Sequence, residues 1–403
     1  MPSPDKIHAD SSKHYDVVVV GGGPSGSAAA FSAKALGLKV CVIDKANFPR
    51  EKLCGGLVTP RSKRLHLDIF GQEIAENLLN HSDSISFFSE KKRLERIVGY
   101  KTLFFCMRYE FDHSLIVRCG DKGVDLFLGH SITNIDTTEN CVYTDQGFSA
   151  TYGVLIGADG ANSQVAKAAF GSSFDQSTIG FGLEVEVPRA KLPDQGEDIE
   201  IDFAAARWGY GWVFPKRQSF TIGVGGIHRL NPDMKLRLEK YLSLKNLRSS
   251  DYKVKGQYIP FGDFRKTPGR GNLILVGDAS GVVDPITGEG IAYAFETGSS
   301  AAKAAKAAII ANDEKSAFDR YRNDYARISS TIKQANRWRR LIFPKALQGV
   351  FNWAFSDAST LQRGYLDVLA GDADYSLLNR LFLVQAKKAI SKPFRIVMSK
   401  IRT

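Results

Sequence analysis

Hydrophobic and polar positions along the chain follow two rhythms. The run over residues 15–20 ends in four consecutive valines, Val17 to Val20, which predicts a parallel strand buried on both faces. It passes directly into Gly21-Gly22-Gly23-Pro24-Ser25-Gly26. An alanine-rich helical stretch over 27–36 follows, stopped by Gly37, and a second strand over 38–43 ends on Asp44. The same strand-to-acid pattern returns at 154–157, which leads to Ala158-Asp159-Gly160, and at 272–276, which leads to Gly277-Asp278-Ala279. A long helix is predicted over 291–311, opened by Gly288-Glu289-Gly290. Between 178 and 230 the rhythm changes to strict alternation, as in residues 182–187 and 198–203, which predicts antiparallel strands with one face buried. Residues 316–340 are helical in composition and contain neither Pro nor Gly. No internal repeat or low-complexity stretch interrupts this order.

The first strand–turn–helix carries chemistry. Gly21 permits the tight turn, Gly23 lets backbone approach a pyrophosphate, and Gly26 lets the helix pack close to the strand. Pro24 and Ser25 complete the turn, and the helix N-terminus offers unpaired N–H groups to phosphate charge. Asp44 lies 18 residues after Gly26, where an acid accepts hydrogen bonds from a ribose diol. This unit predicts dinucleotide binding and leaves FAD and NAD(P) both open. The later turns narrow the choice: Asp278 at a strand end would hold a ribityl hydroxyl. Gly288 and Gly290 would start the long helix at Ile291 with its N-terminus facing the ligand, where positive potential stabilises a reduced flavin.

With these three motifs, the chain resembles FAD-dependent oxidoreductases of the aromatic-hydroxylase fold. The segment Phe48-Pro49-Arg50-Glu51-Lys52-Leu53-Cys54-Gly55-Gly56 is similar to the Cys-Gly-Gly segment of the geranylgeranyl reductase family. Tyr210-Gly211-Trp212-Val213-Phe214-Pro215 is similar to that family's Tyr-x-Trp-x-Phe-Pro motif, and residues 284–290 fit its third FAD motif. The resemblance spans residues 15–311. It implies that Arg108, with Phe111, Asp112 and Leu115, lies along the FAD, and that Asp159 belongs to the cofactor site. Two departures stand out. Arg207 occupies a position where the family often has proline. Tyr210 and Phe214 differ from the Trp-x-Trp-x-Ile-Pro of the halogenase branch, which disfavours halogenation.

On a strand, Trp208, Tyr210, Trp212 and Phe214 would point to one face. They read either as an aromatic core stripe or as an apolar wall over the flavin, with Tyr210 and Trp212 as catalytic-site residues; the family motif favours the wall. Cys54 is either a small buried side chain in a tight turn or the acid that protonates substrate after hydride transfer. Lys45, Arg50 and Lys52 are most simply solvated, while Lys45 and Arg50 are also candidates for the cofactor site, Arg50 through the FAD phosphates.

Bulk properties bound the rest. The chain has 403 residues and weighs 44.3 kDa, 43% hydrophobic and 24% charged, enough for a large core in about two or three domains. Five widely spaced cysteines without a Cys-x-x-Cys pair, and seven histidines without zinc-type spacing, point to reduced thiols in a cytoplasm and no metal site. The first 14 residues are polar, with no signal-peptide pattern, and no run approaches the roughly 20 apolar residues of a membrane span. The net charge of +11 is concentrated at the end: residues 331–403 hold 13 basic and 4 acidic side chains. A nearly neutral body argues against nucleic-acid binding. The basic tail, interleaved with aromatics, reads as an anionic-membrane surface, a docking face for an acidic protein, or the outer face of a helical cap.

The expected fold is α/β. A single Rossmann-type FAD-binding domain would be joined by a second, mixed or antiparallel sheet domain for substrate and by a helical C-terminal cap. The expected segments are 14–84, 85–175 (with the start of the substrate sheet) and 265–330 for the FAD domain, 176–264 for the substrate sheet, and 331–403 for the basic helical region. The expected activity is reduction of isoprenoid double bonds by reduced FAD, with NAD(P)H or a reduced electron carrier as transient donor and an apolar or aromatic small molecule as substrate. The runner-up is a flavin monooxygenase acting on an aromatic, including a tryptophan side chain of a partner protein in quinone-cofactor maturation, and a third reading is a non-catalytic electron carrier using the same FAD site. The protein is expected in the cytoplasm or peripheral to a membrane.

Overall fold

A computed structural model describes residues 13–89, 91–356 and 359–384. The continuous apolar runs become the centre of one sheet. Its parallel strands lie in the order Asp125–Leu128, Val40–Asp44, Lys13–Val20, Ser149–Gly157 and Leu273–Leu275. Both faces are covered, which is why the central strands lack polar alternation. On one face the helices Pro24–Ala35, Ile291–Ile310 and Ala317–Ile342 bury alanines and tyrosines against Val17, Val19, Val40 and Val42. On the other, Val18, Ile43 and Leu155 meet Val165 and Ala166 of the helix Gln164–Phe170. The carboxyl ends of the first strand and of Ser149–Gly157 lie side by side, because Val20 pairs with Gly157. Crevices at such strand ends are where nucleotides bind in open α/β sheets.

The second sheet is built from Lys255–Ile259, Gly180–Pro188, Ser219–Ile227, Gly209–Pro215, Ile199–Asp202, Leu79–Ser89, Lys92–Cys106 and Leu57–Val58, in that order. Its pairs are antiparallel except Ile199–Asp202 with Leu79–Ser89, so the sheet is mixed, as expected. It reaches further back than expected, since Leu57–Val58 falls within 14–84 and Leu79–Ser89 crosses the 84/85 boundary. Leu183, Val185, Val187 and Val213 pack under the helix Met234–Ser243 on its back. The front faces the nucleotide-binding domain.

The C-terminal region packs into the cores of both domains. One helix, Ala317–Ile342, crosses the expected boundary at 330/331. Its Phe318, Tyr321, Tyr325, Ile328 and Ile332 belong to the core of the first domain, and its Ala335, Trp338 and Ile342 to the core on the front of the second sheet. The helices Lys345–Ser356 and Ser359–Ala370 and residues 375–384 continue that second core through Phe351, Phe355, Leu366, Tyr375 and Leu378. Much of the expected basic tail, including Lys387, Lys388, Lys392, Arg395, Lys400 and Arg402, lies outside the described residues. No helix among the described residues is long and apolar enough to cross a membrane.

Candidate functional site

A cavity forms where the front of the second sheet meets two loops of the first domain. Cys54, Gly55 and Gly56 line one side, Gly288, Glu289, Gly290 and Ile291 another, and Tyr210, Trp212 and Phe214 form the wall between them. Each wall residue has a distinct seat. The Tyr210 hydroxyl donates to the Thr287 carbonyl at 2.9 Å. The Trp212 indole lies across strand glycines: a Cβ on Gly223 would overlap its six-membered ring, and one on Gly225 would come within 3.3 Å of it. Phe214 packs over Gly55, where a Cβ would sit 2.6 Å from the ring. Trp208 is not part of this row. It precedes the strand Gly209–Pro215, has a φ of +53°, and packs instead against the Arg339 guanidinium. A four-residue period-2 stripe is therefore corrected to three, because the backbone turns over at Trp208.

The nucleotide turn has the expected shape. Gly21 adopts a φ of +101°, and a Cβ there would enter the backbone of Ala158. The helix Pro24–Ala35 starts at Gly23 without any side-chain cap, so its N-terminal N–H groups stay available. Ser25 is buried under Gly277, and Gly26 lies against the Gly21 carbonyl. The Asp44 carboxylate accepts from the Gly22 N–H at 2.7 Å and the Ala46 N–H at 2.8 Å, which holds it beside the turn with lone pairs to spare. Arg50 is not solvated. Its Nη2 lies 3.0 Å from Asp112 and 3.5 Å from where a Cβ on Gly23 would sit, while its Nη1 is buried with no partner among the described residues. Arg108 grips the same Asp112 through Nε at 2.6 Å and Nη2 at 2.7 Å. Two guanidinium groups thus share one carboxylate, leaving net positive charge beside the glycine turn. A second helix, Ile291–Ile310, begins at Gly290, and the buried Glu289 carboxylate accepts from its Ala292 N–H at 2.9 Å. An orphaned guanidinium nitrogen, the open N-terminus of Pro24–Ala35 and an anchored carboxylate suit a pyrophosphate and a ribose.

Eight of the expected residues meet in the cavity: Cys54, Arg108, Tyr210, Trp212, Asp278, Gly288, Gly290 and Ile291. Lys45 is exposed. Asp159 accepts through Oδ2 from the N–H groups of Gln164 at 2.6 Å and Val165 at 3.3 Å at the start of the helix Gln164–Phe170, while its Oδ1 is buried without a partner among the described residues. All five cysteines are free, and of these only Cys54 is not fully buried. Its Sγ accepts from the Gly56 N–H at 3.3 Å.

Several residues at the site were not assigned to it from the sequence. Lys52 lines the cavity, where burial lowers its pKa against the opposing pull of Asp278, so a solvated lysine is corrected to a cavity one. Lys216 is 1% exposed and donates to the Gly55 carbonyl and, at 2.9 Å, to the Cys106 carbonyl, tying the Cys-Gly-Gly turn to the sheet. Glu184 is 3% exposed and accepts from the Cys54 N–H at 2.9 Å. Burial, then the nearby Glu186 carboxylate, push its pKa up to about 7 against the pull of Lys216, the Cys54 N–H and Lys255. The Tyr375 hydroxyl lies 2.8 Å from both oxygens of buried Asp284, so the C-terminal region pins the loop that opens the flavin-side helix. The only sequence signals were an acid on an alternating strand and a lysine directly after Pro215.

Comparison with known proteins gives this geometry a family. Residues 15–180 match the pyridine nucleotide-disulphide oxidoreductase family. The chain is 31% identical over 312 residues to menaquinone reductase of Mycobacterium tuberculosis, covering 72% of this chain and 76% of that one. It is 31% identical over 307 residues to geranylgeranyl diphosphate reductase of Rhodobacter capsulatus, covering 73% and 75%. A geranylgeranyl bacteriochlorophyll reductase-like protein of Thermoplasma acidophilum superposes with a TM-score of 0.69 at 21% identity, over 97% of this chain and 99% of that one, and shares the fold. FAD is the cofactor that this family and the site's groups imply. The chain belongs to the geranylgeranyl reductase family of FAD-dependent oxidoreductases.

Proposed function

We propose that the protein reduces carbon–carbon double bonds in the isoprenoid chain of a prenyl lipid. The observation that carries this reading is the meeting of one accessible thiol, Cys54, with the apolar wall Tyr210–Trp212–Phe214 and the helix start at Gly290 in a single cavity. Two relatives at about a third identity are named for reducing menaquinone and geranylgeranyl diphosphate, both of which carry isoprenoid chains. Bound and reduced, FAD supplies a hydride. The protein's own groups do the rest. Gly21, Gly23, Pro24, Ser25 and Gly26, with Asp44 and Arg50, hold the nucleotide half. Asp278, Gly288, Gly290 and Ile291 hold the flavin half, where the helix N-terminus favours negative charge. Trp212 and Phe214 hold the chain and exclude water. Cys54 gives its thiol proton to the second carbon of the double bond. NAD(P)H or a reduced carrier protein restores the electrons.

Substrate of this kind resides in membranes, and the described C-terminal region presents a fitting surface. Leu341, Leu347, Val350 and Trp353 are exposed beside exposed Arg337, Arg340 and Lys345. Apolar side chains among cations suit the headgroup region of an anionic bilayer. Sedimentation with anionic and neutral vesicles tests this: binding to neither removes the membrane reading, and equal binding to both removes the role of the basic side chains.

The decisive experiment incubates the FAD-loaded, chemically reduced protein with geranylgeranyl diphosphate, with menaquinone and with aromatic candidates, and weighs the products. A gain of two hydrogens per double bond supports reduction. A gain of one oxygen with dioxygen uptake overturns it in favour of a monooxygenase.

A further inference from the structure

A second cavity of about 250 Å³ adjoins the first and shares Lys52, Cys54 and Arg108 with it. The two differ in character. The first is walled by aromatics, whereas the second is lined by Glu184, Glu186, Lys255, Glu51 and Glu110, of which Glu51 and Glu110 are exposed. It is roomy and polar enough for water and reaches the protein surface. Cys54 sits where the two chambers meet.

Glu184 is the buried acid of this chamber. Its strand alternates Leu183, Val185 and Val187 into the core behind the sheet, so Glu184 and Glu186 project to the front. The two carboxylates differ in how they are satisfied. Glu186 accepts from Thr221 at 2.6 Å and Ser219 at 2.8 Å. Glu184 accepts from the Cys54 N–H through one oxygen, and its other oxygen is buried without a partner among the described residues. The charged groups facing it come from every neighbouring element. Glu186 lies on its own strand, Lys255 is its register partner on the next strand, and Lys216 follows the aromatic strand. Glu51 and Lys52 come from the Cys-Gly-Gly loop, and Arg108 and Glu110 from the helix Arg108–Asp121. The opposite register partner, Gly223, brings no charge.

We propose that Glu184 is the relay residue that reprotonates Cys54 from the polar chamber after each turnover. The proposal rests on Cys54 being the proton donor. A thiol that protonates substrate is left as a thiolate and must recover its proton before the next double bond. Glu184, as the carboxylic acid, passes its proton through chamber water to that thiolate, and the resulting carboxylate takes one from solvent beside Glu51 and Glu110. Two protons move in sequence and no electron does. The separate polar entry keeps the aromatic chamber dry, which hydride chemistry needs.

The test uses the FAD-loaded full chain with Glu184→Gln and Glu184→Asp. Iodoacetamide labelling of Cys54, followed by mass across neutral pH, needs no substrate. In the wild type the labelling rate should carry a titration step near neutral pH from Glu184. Glu184→Gln should lose that step, and Glu184→Asp should retain one. With geranylgeranyl diphosphate and reduced protein, Glu184→Gln should slow repeated turnover by about tenfold or more, and small buffer acids should restore it. Identical labelling profiles for wild type and Glu184→Gln overturn the coupling. Unchanged turnover in Glu184→Gln overturns the relay. Full product formation by Cys54→Ala instead overturns the reading of Cys54 as donor, and the labelling experiment remains interpretable beside it.

Discussion

The Tyr210 hydroxyl donates to the Thr287 carbonyl at 2.9 Å, joining the aromatic strand of the second sheet to the loop that opens the flavin-side helix. Neither residue's role follows from its own element. Together they fix the gap between wall and cofactor loop, with Gly288 so close to the hydroxyl that a side chain there would overlap it. Replacing Tyr210 by Phe should leave the buried carbonyl one donor short and cost about 1 kcal/mol. Urea denaturation measures that loss, and FAD fluorescence should report weaker retention of the cofactor. Unaltered FAD affinity would show that the bond serves stability alone.

The glycine floor under Trp212 makes a second prediction. Gly223→Ala puts a methyl group into the indole, and the two cannot share the space. The variant should lose about 1–3 kcal/mol, as overpacked cores do. It should also tilt Trp212 into the cavity and reduce turnover of long isoprenoid chains more than short ones, measured as product per unit time for substrates of different length.

Asp112 is fully buried between Arg50 and Arg108. Asp112→Asn removes the counter-charge from two largely buried guanidinium groups. Breaking a buried pair from one side costs about 3–5 kcal/mol, so this variant should unfold well below the wild type in urea. A smaller loss in the presence of excess FAD is expected, because bound phosphate would replace part of the missing charge.

Glu184 also predicts how stability depends on pH. Its folded pKa is raised to about 7, above the 4.5 of a free glutamate, so the folded state binds the extra proton between those values. The stabilisation from the protonated form is fully present below about 4.5 and is lost as pH rises through about 7. Above pH 7 the ionised, buried carboxylate should cost roughly 3 kcal/mol. Glu184→Gln should remove that dependence, so the variant gains stability over the wild type between pH 5 and pH 8. Parallel denaturation curves for the two proteins at both pH values would contradict the assignment.

Much of the first domain was legible because its signals are contiguous. A strand, a glycine turn and a helix occupy about 20 neighbouring residues, and their chemistry needs no distant partner. The second sheet was legible as alternation, but alternation predicts one buried face. On Gly180–Pro188 the face carrying Glu184 is buried too, because the nucleotide domain closes over it. Charge composition separated the C-terminal region from the rest, whereas its apolar positions tie it to both domains.

By itself the sequence determined the parallel sheet, the cofactor turn, the Cys-Gly-Gly loop and the aromatic row, from which the structure removes Trp208. Each is set by residues within a few positions of one another, where steric and hydrogen-bonding preferences act directly. Only the tertiary structure decided that Arg50 and Lys52 leave solvent, that Lys216 and Glu184 gather around Cys54, and that Tyr375 holds Asp284 from 91 residues away. Burial decides the chemistry of a charged side chain, and burial is created by the packing of segments far apart in the chain.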